Sequence, residues 1–151
     1  MDQSAAIVIG YDGSAAARLA LRRGLELAAL YNAPARVLRA WTTGTAPRPK
    51  TWEPGYVPPV DDFAAAVIEQ VSTDIAEVIA EYPGVEVRIE APHGPAGREL
   101  IEASAEAQLV VVADRDLHGI SELLLGSVSK EVVEHSHCDV LVVRPQGARR
   151  G

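Results

Sequence analysis

The sequence predicts an α/β protein with a single doubly wound parallel sheet of five strands and helices on both faces. Five apolar runs of strand length alternate along the chain with four segments of helical period. Such alternation is typical of a parallel sheet, because right-handed crossovers place the connecting helices on its two faces. The length of 151 residues fits one compact domain, which we expect to span residues 1–145, with a flexible tail at 146–151.

The first part of the chain predicts a strand, a helix and a second strand. The first apolar run is continuous, as expected for a strand covered on both faces. Ser14 follows it and can cap the next helix, because a serine hydroxyl there accepts a hydrogen bond from a first-turn amide. The predicted elements are a strand from Ala5 to Gly10, a helix from Ala15 to about Tyr31 and a strand from Ala35 to Ala40.

Residues 41–60 predict an irregular loop, because they hold five prolines and two tryptophans and show almost no periodicity. Two interpretations are open at this stage. The segment is a surface flap whose Trp41 and Trp52 pack onto the body, which we favour, or it is a lid over a ligand. Both interpretations place it within the single domain.

The second half continues the alternation. Apolar residues recur every three or four positions from Phe63 to Tyr82, the strongest helix signal in the chain. Residues 85–90 alternate apolar with charged side chains, which is typical of an edge strand with one solvated face. The remaining predictions are a helix beginning at Gly94 and Pro95, a strand from Leu109 to Ala113, a helix from Ser127 to about Ser136 and a strand from Val140 to Arg144.

Composition excludes several classes of function. The 21 acidic and 14 basic side chains give a net charge of −7, which repels nucleic-acid phosphates and anionic lipid. No apolar run approaches the roughly 20 residues of a membrane helix. The single cysteine, Cys138, excludes an internal disulfide, and the first residues lack the pattern of a signal peptide. We therefore expect a cytoplasmic protein with no nucleic-acid or membrane partner.

Two segments follow strands at the edge where ligands bind in open parallel sheets. Tyr11 and Asp12 come directly after the first strand, and a loop rich in carboxylates follows Ala113. Gly126 and Ser127 then open a helix, whose first amides favour an anion. We expect these segments to share one crevice. Asp12 can accept hydrogen bonds from sugar hydroxyls there, or it can brace the turn before the first helix, and the two roles do not exclude each other.

Three passages resemble the universal stress protein family: IVIGYDGSAAARLAL at residues 7–21, GPAGRELIEASAEAQLVVVADR at 94–115 and LLLGSVSKEVVEHSHCDVLVVRP at 123–145. With the matching order of elements, the resemblance covers nearly the whole chain except the loop at 41–59. It implies a Rossmann-like, adenine nucleotide hydrolase-like sheet with strand order 3-2-1-4-5. It also implies a regulatory role in stress responses and a homodimer.

Members of this family that bind ATP carry Gly-x-x-Gly, nine residues and then Gly-Ser or Gly-Thr. Here the spacing is kept, but Ala113 and Asp116 stand at the first two glycine positions, and only Gly126 with Ser127 matches. The resemblance implies that Asp12 contacts the ribose or base, that Ala40 lies near adenine and that Ser127 meets phosphate. The full candidate nucleotide site is Tyr11, Asp12, Ala40, Ala113, Arg115, Asp116, Gly126, Ser127, Val128 and Ser129.

The substitution at Asp116 sets the expectation for ATP. Two negative charges about 4 Å apart, such as a carboxylate and a phosphate, repel each other by roughly 4 kcal/mol at an effective dielectric near 20. We therefore expect a regulatory protein whose crevice has weakened or lost its affinity for ATP. The alternative is a functional ATP-binding protein, with slow hydrolysis at most, in which Arg115 or a Mg²⁺ or Mn²⁺ ion offsets the charge. No catalytic arrangement of base, nucleophile and oxyanion donors is readable from the spacing.

The C-terminal strand is the expected dimer contact, because an exposed apolar edge invites pairing with a second chain. Its residues are Val140, Leu141, Val142, Val143 and Arg144. An unidentified protein partner is also expected from the regulatory role. Arg144 together with Arg149 and Arg150 is expected to be solvated.

No metal site is predicted in the segment that contains His135, His137 and Cys138, because the spacing of a closed four-ligand site is absent. We expect His135 to be a half-buried packing residue and Cys138 to be a free, partly buried thiol. His118, in the loop after the fourth strand, is expected to be exposed and without a task.

Overall fold

The structure, a computed structural model, describes residues 4–114 and 125–145. Strands and helices alternate throughout these residues, which confirms the predicted fold class. In chain order they are β1 (Ala6–Gly10), α1 (Ala15–Tyr31), β2 (Ala35–Leu38), α2 (Val60–Ala80), β3 (Val87–Glu90), α3 (Ala96–Ser104), β4 (Ala107–Ala113), α4 (Ser127–His135) and β5 (Asp139–Val143).

All the strands pair in parallel, in the order β3-β2-β1-β4-β5. This is the order that the family resemblance implies. β1 lies at the centre, where Ile9 is in register with Val37 of β2 and Val111 of β4. β3 and β5 are the two outer strands, as the alternating pattern of β3 and the expected edge position of β5 predicted.

The two faces of the sheet are covered by different helices. On one face α1 and α2 pack on the side chains of Ile7, Ile9 and Val37. On the other face α3, through Leu100 and Ala103, and α4, through Val132, pack on the alternate positions, Val8, Leu38, Val110 and Val112. Successive strand residues point to opposite faces, so each continuous apolar run supplies both cores at once. No helix among the described residues has the length and apolarity needed to span a bilayer.

The ends of α1 follow the predicted signals. The Ser14 hydroxyl accepts a hydrogen bond from the Ala17 amide at 3.0 Å, and Asn32 ends the helix in a left-handed conformation. Within the helix, Gly24 lies directly against β1. A Cβ atom there would be 2.5 Å from Ile9 Cδ1, so the bare backbone sets how closely α1 approaches the sheet.

Several strand boundaries differ from the prediction by one or two residues, and the ends of β2 and β5 have a clear cause. β2 ends at Leu38 and not at Ala40, because its partner β1 ends at the paired residue, Gly10. The last backbone hydrogen bond between the two chain segments runs from the Tyr11 amide to the Leu38 carbonyl. β5 ends at Val143 and not at Arg144, because β4 ends at the paired residue. Arg144 is therefore outside the strand that was predicted to form the dimer contact.

The loop before α2 begins inside the core. Trp41 is only 1% exposed, stacks between Phe63 and His93, and donates from its indole nitrogen to the Ala91 carbonyl at 2.8 Å. Trp52 is 37% exposed, with the Arg48 guanidinium 5.1 Å above its ring. The two tryptophans thus differ: the first fixes the loop to the body, and the second lies near the surface.

The prediction for His135 is wrong. Its side chain is exposed, because the buried stripe of α4 consists of Ser129 and Val132 and the helix ends before the stripe recurs. Cys138 is a free, partly buried thiol, as predicted. His118, Arg149 and Arg150 lie outside the described residues.

Candidate functional site

A crevice of about 160 Å³ lies at the carboxyl ends of β1 and β4. The helix that follows β1, α1, lies on one face of the sheet, and the helix that follows β4, α4, lies on the other face. Open α/β sheets bind ligands at the point where neighbouring strands lead to opposite faces in this way. Its lining is mostly apolar and consists of Gly10, Tyr11, Asp12, Ala17, Leu38, Ala40, Ala96, Leu100, Val112, Ala113 and Val128. Five of the ten predicted nucleotide-site residues therefore meet in one place: Tyr11, Asp12, Ala40, Ala113 and Val128.

Small side chains keep the crevice open. Ala40 follows β2, Ala113 ends β4, and Gly10 ends β1 between them. A Cβ atom at Gly10 would lie 3.2 Å from Leu100 Cδ1 and 3.3 Å from Val112 Cγ1. Leu100 and Val112 therefore leave little room for a side chain at residue 10.

Asp12 lies at the mouth of the crevice. Its Oδ1 atom accepts a hydrogen bond from the Ser14 amide at 3.0 Å, which braces the turn into α1. That turn passes through Gly13, whose φ of +85° is a left-handed conformation that favours glycine. The bracing role of Asp12 is therefore present in the structure, and the same carboxylate lines the crevice.

The start of α4 provides backbone amides at the other side of the crevice. Gly126 occupies the cap position and has no side chain with which to bond the first-turn amides, and Ser127 is exposed. The buried Ser129 hydroxyl donates to the Ala113 carbonyl at 3.0 Å and so ties α4 to the end of β4. Arg115 and Asp116 lie outside the described residues.

Sequence reasoning missed an ion pair beside the crevice. Asp114 is buried, its Oδ2 atom lies 3.5 Å from Arg144 Nη1, and its amide donates to the Val143 carbonyl at 2.9 Å. Arg144 is exposed, as predicted, but its guanidinium also pairs with this buried carboxylate. The available signal was an acid directly after one buried strand and an arginine directly after the next, since neighbouring parallel strands end at the same edge.

Tyr11 is held by a second set of contacts that the sequence did not reveal. Its buried hydroxyl donates to Asp74 of α2, and Asp74 also accepts from Arg18 of α1 at 2.9 Å. Burial first, and then the hydrogen bond to the Asp74 carboxylate, raise the pKa of Tyr11 to about 12. The Tyr11 side chain thus fastens the end of β1 to both helices on its face of the sheet.

We expect one of the four tyrosines to titrate near pH 12 in the folded protein, and Tyr11→Phe to remove that step. The folded state keeps the Tyr11 proton to higher pH than the unfolded chain does. Its contribution to stability is therefore complete below about pH 10 and is lost as the pH rises to about 12. Ultraviolet difference titration checks this, with Asp74→Asn expected to lower the Tyr11 pKa partway. An unchanged highest step in Tyr11→Phe would contradict it.

Metal ligands do not converge near the crevice in the part of the chain that the structure describes. Across residues 4–114 and 125–145, no group of three histidine, cysteine, aspartate or glutamate side chains could hold a metal ion. The groups at the crevice that could contact a ligand are thus the Asp12 carboxylate, small apolar side chains and the first amides of α4.

The fold is that of a doubly wound α/β protein, with a crevice where its crossovers diverge. The sequence profile described as Universal stress protein family matches residues 5–144. The chain belongs to the universal stress protein family, as the three passages predicted.

Curated relatives agree with this assignment. The chain is 32% identical over 142 residues to a universal stress protein of Mycolicibacterium smegmatis, covering 91% of this chain and 47% of that protein. It is 33% identical over 146 residues to a universal stress protein of Mycobacterium tuberculosis, and the match covers 94% of this chain and 46% of that protein. The chain thus spans about half the length of the curated relatives it matches.

Solved structures show the same architecture. A universal stress protein in complex with cAMP is 26% identical, with a TM-score of 0.68 over 94% of this chain and 98% of that one. A universal stress protein of Archaeoglobus fulgidus in complex with dAMP is 19% identical, with a TM-score of 0.65 over the same shares, and supports the fold alone.

Proposed function

We propose that this protein is a dimeric, cytoplasmic stress-response regulator that binds an adenine nucleotide in the crevice between β1 and β4, with weakened affinity for ATP. The observation that carries the proposal is the geometry of the crevice. A narrow apolar slot ends at a carboxylate on one side and at the uncapped start of a helix on the other. The relative solved with cAMP, 26% identical, supports an adenine nucleotide as the ligand class.

Each part of a nucleotide has a matching feature. The slot beside Ala40 and Ala113 suits the flat, largely apolar adenine ring. Asp12 at the mouth can accept hydrogen bonds from ribose hydroxyls. The first amides of α4, beside exposed Ser127, favour a phosphate, because the N–H groups at a helix start have no acceptor within the helix and the helix dipole is positive there.

The charge of Asp116 distinguishes this proposal from full ATP binding. A carboxylate at the second glycine position of the family motif repels each added phosphate, so a monophosphate is disfavoured less than a triphosphate. The alternative, an ATP-binding protein with slow hydrolysis at most, is favoured by the start of α4, where no side chain caps the helix from the cap residue Gly126.

Calorimetric titrations with AMP and ATP, each with and without Mg²⁺ and Mn²⁺, distinguish the proposal from this alternative. The proposal predicts that AMP binds more tightly than ATP under every condition.

Filling the slot is expected to abolish nucleotide binding. Ala40→Leu adds three carbons to a crevice of about 160 Å³, and we expect at least a tenfold loss of AMP affinity by calorimetry. The matched control is Ala29→Leu, the same change on the exposed side of α1, which should leave the affinity unchanged. Equal AMP affinity in Ala40→Leu and the parent protein would place the nucleotide elsewhere.

The dimer follows from the position of β5. Val140, Leu141, Val142 and Val143 are only partly buried, and among the described residues β5 pairs with a strand on one side only. A second copy can hydrogen-bond to the backbone of its outer edge through a two-fold axis. We expect sedimentation equilibrium to give twice the chain mass of 16.1 kDa. A species of 16.1 kDa throughout a dilution series would exclude this contact.

A further inference from the structure

A second and larger cavity lies on the opposite side of Tyr11 and Asp12 from the crevice. It has a volume of about 880 Å³ and is bounded by the loop at 47–51, the first half of α2 and the ends of β1 and β2. We call it the flap cavity. The alternation of side chains after β2 separates the two spaces, because Ala40 lines the crevice and Arg39 lines the flap cavity.

Arg39 is the unusual group in the flap cavity. Its Nε atom is buried and has no hydrogen-bond partner, and its guanidinium makes no ion pair with any residue in 4–114 or 125–145. The guanidinium reaches over Gly13, where a Cβ atom would lie 3.2 Å from Nη1. A buried donor without an acceptor is unfavourable. The Arg39 side chain also lines the cavity, so an acidic group that enters there can accept hydrogen bonds from its guanidinium.

The carboxylates that line the same cavity already have partners. Asp74 accepts from Tyr11 and Arg18, and Asp62 accepts from the Thr51 hydroxyl at 2.7 Å. Glu69 lies 3.7 Å from the Lys50 ammonium at the mouth. Asp12 also lines the cavity and accepts from the Ser14 amide at 3.0 Å. Arg39 makes no ion pair with a described residue, so an anion that pairs with its guanidinium gains a charge-assisted hydrogen bond without breaking an existing one.

The rest of the lining indicates the body of the ligand. Thr51, Gln70 and Thr73 supply uncharged hydrogen-bonding groups, while Pro47, Pro49 and Ala66 supply small apolar surfaces. The volume lies within the usual range of small-molecule sites, roughly 300–1,000 Å³. We propose that the flap cavity binds a small hydroxylated organic anion whose phosphate or carboxylate pairs with Arg39.

Calorimetry on the full chain tests the site with three probes. Glucose 6-phosphate and gluconate carry the two candidate acidic groups on a polyol body, and glucose lacks the charge. We expect at least one anion to bind and glucose to give no heat of binding. Binding by one anion alone identifies whether a phosphate or a carboxylate is preferred. Failure of both anions to bind overturns the proposal.

Variants locate the binding. Arg39→Gln removes the charge and is expected to weaken anion binding at least tenfold, whereas Arg88→Gln, the same change at a 70% exposed position on β3, should not alter anion binding.

Ala66→Leu narrows the cavity from the α2 side without changing its charge and should also weaken anion binding. It therefore tests the location of the site even if Arg39→Gln does not fold. Undiminished binding in a folded Arg39→Gln or Ala66→Leu protein overturns the assignment. Neither variant alters a side chain that lines the nucleotide crevice, so the two proposals fail independently.

Discussion

Trp41→Ala is expected to lower the free energy of unfolding by about 3–5 kcal/mol, the usual cost of deleting a buried large aromatic side chain. The indole is 1% exposed, stacks on Phe63 at 5.4 Å and on His93 at 4.4 Å between ring centroids, and bonds the Ala91 carbonyl. Its loss leaves a cavity between α2 and the end of β3 together with an unsatisfied acceptor. Urea denaturation followed by circular dichroism measures the change.

Trp52→Ala is the matched control. That indole is 37% exposed and lies 5.1 Å from the Arg48 guanidinium, so we expect Trp52→Ala to lower the free energy of unfolding by about 0.5 kcal/mol. Trp41→Phe separates ring packing from the hydrogen bond, because it keeps an aromatic ring and removes the donor. Equal destabilisation by Trp41→Ala and Trp52→Ala would contradict the division of the loop into a core anchor and a surface residue.

Asp116→Gly is expected to strengthen ATP binding by about 2–4 kcal/mol, or roughly thirtyfold to nearly a thousandfold. The reason is electrostatic: the substitution removes a negative charge from the second glycine position of the family motif, next to where the resemblance places phosphate. The gain should be smaller for AMP, which carries two phosphates fewer. Calorimetric titration of both nucleotides against the parent and the variant measures the difference.

Two further substitutions test this explanation. Asp116→Asn removes the charge but keeps a side chain, so it should recover the electrostatic part of the gain without glycine's backbone freedom. Glu102→Gln changes the net charge equally at an exposed position on α3 and should leave ATP affinity unchanged. If neither Asp116 variant binds ATP more tightly, the carboxylate is not what weakens the site.

Local patterns predicted most of the fold. The spacing of Phe63, Val67 and Val71 predicted α2 because a helix buries one stripe whatever it packs against. Alternation at residues 85–90 predicted the edge strand β3 for a similar reason. Boundaries were less accurate. The ends of β2 and β5 depend on where their partner strands stop, and no pattern within either strand carries that information.

The candidate site was predicted in part. Asp12 and Ala40 could be placed at the crevice from the strands they follow and from the family resemblance, and the structure brings them together. The hydrogen bond from the Ser129 hydroxyl to the Ala113 carbonyl was not predicted. That outcome depends on how close the start of α4 comes to Ala113, which is a distance in space and not a spacing in sequence.

The sequence by itself determined the order of elements, the two cores, the family and the edge of the sheet at which the crevice lies. These follow from periodicity and chain topology, which are properties of neighbouring residues. Only the tertiary structure decided which charges meet: Tyr11 with Asp74, Asp114 with Arg144, and Arg39 with no partner among the described residues. Such pairings join distant positions, and they arise only once packing has fixed the helices against the sheet.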